Sequence, residues 1–182
     1  YDQSIKFSKK LIAITTGGTL KEKSTEDGIP CISIPPDYQP RAALGYSIMS
    51  LLMIFRKLSL MDSTISDLAN KVSIELVEFS KNYCMKDQYA NELANQIKDS
   101  VIAIYGIQSS TDAIASRFRS QLAENSKIIA SHHTLPELNH NEMNGFDYIN
   151  TNKKLSNNFY FIFLNDKNDY DKNIKRMKIL SK

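Results

Sequence analysis

Three short apolar runs constrain this sequence more than anything else in it: LIAIT at 11–15, VIAIY at 101–105 and FYFIFL at 159–164. Each is rich in β-branched or aromatic residues, and none alternates with polar ones. Such runs read as strands buried on both faces. A strand of that kind needs helices above and below it, and the segments between the runs supply them. The pattern predicts a short helix over 19–27 stopped by Gly28, a strand over 31–34 closed by Pro35-Pro36, and a long apolar helix from Arg41 to about Leu58 opened by Pro40. Residues 62–99 hold two polar helices, with Ile65, Leu68, Val72, Leu76 and Phe79 at three- and four-residue spacing. Gly106 is expected to end the VIAIY strand. A helix over 111–125 follows, with Ser109 or Ser110 as N-cap, then a strand over 127–130 and a short helix over 136–143. A polar loop at 150–158, the FYFIFL strand and a last helix over 170–180 complete the reading. The fold class expected is α/β, with parallel sheets in three-layer αβα sandwiches.

Composition narrows the function classes. With 42% hydrophobic and 24% charged residues the chain is of ordinary globular make-up. A net charge of +3, spread along the chain, is too mild to argue for nucleic acid. The longest apolar run, near 48–55, is far shorter than a membrane span, and YDQSIKFSKK at the start is polar and basic with no apolar signal-peptide core. Cys31 and Cys84 fit no metal spacing and read as free or buried thiols in a reducing compartment. A cytoplasmic location is the expectation. Two half-similar α/β units, near 1–45 and 100–182, flank a helical segment, and each is short of strands for a doubly wound domain. The chain is therefore expected to be part of a longer polypeptide.

Several groups stand in settings that suit chemistry. In TTGGT the glycines Gly17 and Gly18 follow Thr15 where a strand turns into a helix; backbone N–H groups there can cradle an anion, or the pair can be a plain tight turn. Arg41 follows Pro40 at a helix start, where a cation opposes the macrodipole. That misfit suits a guanidinium serving an anion, although an exposed Arg after Pro is the plain alternative. On the helix over 111–125, Ile114, Phe118 and Leu122 are expected to face inward, and Arg117, Gln121 and Glu124 to form a second stripe. Glu124 falls at the C-terminal end, where the macrodipole disfavours a carboxylate and favours general-base work. The alternative is a solvated Glu paired with Lys127. His132 and His133 are adjacent and would point to opposite faces of a strand, so no metal is expected from them with His140. His140, between Asn139 and Asn141, suits a positioned proton-transfer group.

PPDYQPRAALGY at 35–46, GIQSSTDAIASRFRSQLAENSK at 106–127 and PELNHNEMNGF at 136–146 together resemble the bifunctional phosphoglucose/phosphomannose isomerases. PRAALGY and ELNHNE are the specific parts; residues 50–99 carry little of the likeness. The resemblance implies two flavodoxin-like sugar isomerase (SIS) domains, with 1–60 the last part of the first, 61–99 a helical connector and 100–182 a truncated second. It implies a homodimer whose active site is shared between subunits, a sugar phosphate substrate, no cofactor, and a cytoplasmic place in glycolysis and gluconeogenesis. Glucose 6-phosphate and fructose 6-phosphate would interconvert through a cis-enediol, with mannose 6-phosphate accepted as well. By position in the motifs Glu124 would be the base, His140 would assist ring opening in the partner's site, and Arg41 would stabilise the enediolate. Thr15, Gly17, Gly18 and Glu137 would contact substrate, Glu137 being the second choice for the base. The family's Ser/Thr-rich phosphate loop should precede TTGGT and its late catalytic Lys falls beyond Lys182; Lys178 and Lys182 lack the matching context. A non-catalytic sugar-phosphate-binding SIS regulator is the alternative reading. A different SIS enzyme, of amidotransferase or ketohexose-phosphate isomerase type, is a third.

Overall fold

The structure, a computed structural model, describes residues 1–8, 10–83 and 89–181. In chain order it consists of α1 (Ser4–Phe7), β1 (Ala13–Thr15), α2 (Gly18–Glu26), β2 (Cys31–Ser33), a 3-10 turn Pro40–Ala42, α3 (Leu44–Lys57), α4 (Ile65–Tyr83) and α5 (Tyr89–Ile97). There follow β3 (Val101–Ile107), α6 (Asp112–Gln121), a π-helical turn Leu122–Ser126, β4 (Ala130–Leu135) and a 3-10 turn Glu137–Asn139. The chain closes with α7 (Glu142–Thr151), α8 (Lys153–Ser156), β5 (Phe159–Phe163) and α9 (Asp171–Leu180). It divides into two compact units, Tyr1–Asn82 and Tyr83–Lys182. Among the described residues no helix is long and apolar enough to cross a membrane.

The second unit is a parallel sheet in the order β4-β3-β5. The VIAIY run forms most of its central strand. Successive side chains of a strand point to opposite faces, and β3 uses both. Ala103, Tyr105 and Ile107 pack with Leu135, Leu138 and Met177 and against Phe146 and Phe161. Ile102 and Ile104 pack on the other side with Ile97, Ala115 and Leu122. Thus α7 and α9 cover one face, and α5 and α6 the other. Ile102, Ile104, Leu135 and Leu138 are all at most 1% exposed, and burial of each such side chain contributes about 1.5–3 kcal/mol.

The first unit holds β1 and β2, paired in parallel with Ile14 opposite Ile32 and joined through α2. The strand edges are extended by Ala13 N–H to the Pro30 carbonyl (2.9 Å) and Ile34 N–H to the Thr15 carbonyl (2.9 Å). Gly28, at φ +66°, turns the chain after α2. The apolar stripe expected on α4 exists, but it is exposed at Leu68, Val72, Leu76 and Phe79. Cys31 is a free, half-buried thiol; Cys84 and Lys182 lie outside the described residues.

Several expectations need correction. Gly106 does not end β3 but lies inside it, because α6 crosses there at close range. A Cβ on Gly106 would stand 3.0 Å from the Thr111 carbonyl oxygen and 3.2 Å from Ala115 Cβ. For the same reason Ala115, fully buried, forms the inward face of α6, while Ile114 is 58% exposed. Thr111, not Ser109 or Ser110, occupies the N-cap position of α6. Its Oγ1 accepts from Ile107 N–H (2.9 Å) and donates to the Leu164 carbonyl (2.9 Å), tying the ends of β3 and β5 together. The strand expected at 127–130 runs instead over Ala130–Leu135. The helix expected to begin at Arg41 begins at Leu44, after the 3-10 turn. The one expected at 136–143 is split into the turn Glu137–Asn139 and α7, and α8 occupies part of the loop expected at 150–158.

The tight α6–β3 approach leads to a test. Gly106→Ala is expected to lower unfolding stability by about 1–3 kcal/mol through overpacking, read as a reduced urea midpoint with unchanged slope.

Candidate functional site

In an open parallel sheet, ligands bind outside the carboxyl ends of the strands where neighbouring connections leave to opposite faces. In the second unit this occurs between β3 and β4: the chain leaves β3 toward α6 and leaves β4 toward α7. Gln108 N–H donates to the Leu135 carbonyl (2.9 Å) and closes the base of this crevice. The Leu135–Pro136 peptide is cis. Leu138, 1% exposed, anchors the turn after β4 to the core, while Glu137 and His140 on either side are exposed. His140 N–H donates to the Glu137 carbonyl (3.0 Å), and the Asn144 side-chain amide donates to the His140 carbonyl (3.2 Å). Both sequence candidates of ELNHNE are therefore displayed on one short, well-held turn.

Behind that turn lies a group of side chains that the sequence alone does not bring together. Tyr105 and His133 are register partners on β3 and β4. The Tyr105 hydroxyl donates to Glu142 Oε1 (3.1 Å), and His133 Nδ1 lies 2.7 Å from Glu142 Oε2. Both carboxylate oxygens are thereby engaged at the first residue of α7, whose N–H donates to Asn141 Oδ1 (2.7 Å). Tyr105 is 1% exposed. Burial first, and the Glu142 carboxylate second, push its phenol well above the ordinary tyrosine range. In sequence Tyr105 is one more apolar strand residue, and Glu142 is 37 positions away from it. The only local hints are the adjacent His pair and an acidic residue at a helix start. His132 points the other way, toward Arg119 of α6. Burial, then the Arg119 and His133 charges, lower its imidazole below the ordinary 6.5.

Glu124 lies in the π-helical turn at the far end of α6 and is exposed. π-helical turns within helices are rare and recur at functional sites. The turn also breaks the regular spacing on which the expected Arg117–Gln121–Glu124 stripe rests. Lys127, in left-handed conformation (φ 59°), donates to the Glu124 carbonyl (2.6 Å), not to its carboxylate. Because α6 runs back along β3, Glu124 precedes β4 and His140 follows it. A six-residue strand of about 3.3 Å per residue separates them by roughly 20 Å. Within one chain the structure does not bring Glu124 and His140 together.

The remaining candidates belong to the first unit. Thr15 ends β1; its Oγ1 accepts from Gly17 N–H (3.2 Å) and donates to the Gly17 carbonyl (3.0 Å). Gly17 and Gly18 both have positive φ, 143° and 64°, so the turn uses conformations that favour glycine. Arg41 is exposed in the 3-10 turn before α3. The next residue, Ala42, borders an apolar hollow of about 660 Å³ with Ile34, Tyr46, Met49 and Met53. Among the described residues no group of three His, Cys, Asp or Glu side chains could hold a metal ion.

A family model for the bacterial phospho-glucose isomerase C-terminal SIS domain matches residues 86–182, a stretch that contains Glu124, Glu137 and His140. The chain belongs to the bifunctional phosphoglucose/phosphomannose isomerase family. The bifunctional phosphoglucose/phosphomannose isomerase of Caldicellulosiruptor bescii is 39% identical over 180 residues, which is 93% of this chain and 50% of that protein. The Aquifex aeolicus protein of the same name is 28% identical over 182 residues, 100% of this chain and 52% of that protein. A D-glucosamine-6-phosphate 4-epimerase of Sulfolobus acidocaldarius is 33% identical over 135 residues, 74% of this chain and 41% of that protein. The chain thus spans about half the length of the curated relatives it matches.

The His132 setting has a measurable pH consequence. Its folded-state proton affinity is lowered, so below about pH 6.5 the unfolded chain binds more protons at this position than the folded one. The stabilisation from keeping it neutral is present above that value and is lost as pH falls through the lowered folded value. In urea unfolding at pH 7.5 and 5.0, His132→Asn is expected to lose less stability on acidification than the wild type.

Proposed function

We propose that this chain forms part of an aldose–ketose isomerase that interconverts glucose 6-phosphate and fructose 6-phosphate, and also accepts mannose 6-phosphate. The observation that carries this reading is the family match over the segment holding AENSK and ELNHNE, with both candidate proton-transfer groups exposed. After ring opening, Glu124 removes the proton from C2 of the aldose, and the electron pair forms the C1–C2 double bond of a cis-enediol(ate). The same carboxylic acid returns its proton to C1 as the O2 hydroxyl gives up its proton, which ends on O1, and becomes the ketone. His140 moves a proton between the ring oxygen and the C1 hydroxyl during opening. Arg41 offers a fixed cation to the enediolate oxygen. Thr15, Gly17, Gly18 and Glu137 are assigned to substrate contact. No step calls for a metal or an organic cofactor. Such a reaction serves carbohydrate metabolism, on the glycolytic and gluconeogenic route in the cytoplasm.

The separation of roughly 20 Å between Glu124 and His140, from the strand spacing, supports a homodimeric arrangement. One subunit supplies the base and its partner supplies the imidazole. Site-sharing of this kind is natural for a two-fold assembly. A second reading is favoured by the Sulfolobus relative, whose name describes epimerisation at C4 of an amino-sugar phosphate. It keeps a hexose 6-phosphate as substrate class and moves the chemistry to C4.

The deciding experiment uses the full-length gene product with fructose 6-phosphate, mannose 6-phosphate and glucosamine 6-phosphate in parallel. Glucose 6-phosphate formation that falls at least about a thousand-fold in kcat with Glu124→Gln, the scale of losing a reacting group, is the expected result. Conversion of glucosamine 6-phosphate alone would transfer the reading to the epimerase. Sugar-phosphate binding without turnover would favour the regulatory alternative. The shared site has its own signature. Glu124→Gln and His140→Gln proteins, each reduced to a small but measurable residual activity, are expected to regain about a quarter of wild-type activity when unfolded and refolded together, since half the dimers then hold one intact site.

A further inference from the structure

We infer that Glu142 is the positioning residue for His140: its carboxylate, gripped by Tyr105 and His133, fixes the turn that presents the imidazole to the substrate. This inference rests on the isomerase reading of the same site. Glu142 is two residues beyond His140 and is the point at which the exposed turn becomes helix α7. Its side chain reaches back to the sheet rather than out to solvent. Oε1 meets the hydroxyl of Tyr105 on the central strand, and Oε2 meets Nδ1 of His133 on the neighbouring strand, at 3.1 and 2.7 Å. The two strand residues are in direct register, so the sheet presents a two-point grip of fixed width. A carboxylate held at both oxygens has one orientation, and with it the first turn of α7 has one orientation.

The remaining bonds pass that orientation to His140. Asn141 Oδ1 accepts Glu142 N–H (2.7 Å), and the Asn144 amide, one turn into α7, holds the His140 carbonyl (3.2 Å). From the other side Leu138 is buried in the same apolar cluster as Tyr105. His140 thus sits between two anchors, one apolar and one charged. Leu138 fixes the depth of the turn, and Glu142 fixes its rotation. Acid–base groups lose rate when displaced by fractions of an ångström, so removal of the grip should act on catalysis before it acts on folding. None of the three side chains is assigned contact with substrate, and each acts through the turn.

The test is a double-mutant cycle in the full-length protein, following fructose 6-phosphate conversion. Glu142→Gln keeps an acceptor for Tyr105 but loses the charge opposite His133. It is expected to lower kcat about ten- to a hundred-fold with KM within about two-fold and little change in thermal midpoint. Tyr105→Phe is expected to act in the same direction. In the His140→Gln background the Glu142→Gln change is expected to cost less than about two-fold more, because its target is gone. Equal losses in both backgrounds would show a general structural role and overturn the proposal. Absence of any sugar-phosphate interconversion by the wild type would instead remove the isomerase reading. The grip is then decided by imidazole NMR signals, with that of His140 identified by its loss in His140→Gln. A His140 signal that shifts or broadens in Glu142→Gln supports it, and an unchanged signal refutes it.

Discussion

The pairing of β3 on both edges is the constraint on which the second unit depends. β4 and β5 take up its backbone donors and acceptors from either side, and its side chains are committed alternately to two apolar layers. A strand so enclosed cannot slip by one residue without exchanging its two faces. That would carry the isoleucines into the aromatic layer and Tyr105 away from His133. The position of Tyr105, the docking of α6 over Gly106 and the Thr111 clip to Leu164 all inherit their accuracy from this one strand.

The sheet also sorts the chemistry. One end of β4 is preceded by the π-helical turn with Glu124; the other end delivers the turn with Glu137 and His140. Two groups assigned to one reaction therefore lie at opposite ends of one strand. On the proposed isomerase reading, a site that uses both would be shared between two chains. The chain itself matches its relatives over about half their own length.

Much of the fold is legible in the sequence because burial on both faces leaves a strong compositional mark. VIAIY reads as a strand buried on both faces and is the central one; FYFIFL, read the same way, pairs with it in parallel but lies at the edge of the described sheet with half-buried residues. The strand ASHHTL is hard to place because two imidazoles and two hydroxyl side chains interrupt its apolar pattern, and in the described sheet it pairs on one side only. Ile114 misleads because helical periodicity reports which residues share a face, not how near the sheet lies. Gly106 brings α6 so close that only Ala115 fits beneath it. Among the site residues, Glu124 and His140 stand out by their local settings and motif context. The Glu142 grip does not, since its three members come from β3, β4 and α7 and meet only through the sheet register. Such contacts between distant positions leave no periodic trace in a single sequence.

The π-helical turn at Leu122–Ser126 bears on how relatives of this chain can diverge. A turn of this type is an α-helix that has absorbed one extra residue. Loss of that residue would restore the regular helix and swing the residues beyond it by about 100°, with Leu122 still seated in the core. The direction of the Glu124 carboxylate can thus be reset by a single codon deletion, while the packing that stabilises the domain is left in place. The turn is a ready hinge for changing where the residue at position 124 is aimed without disturbing the core.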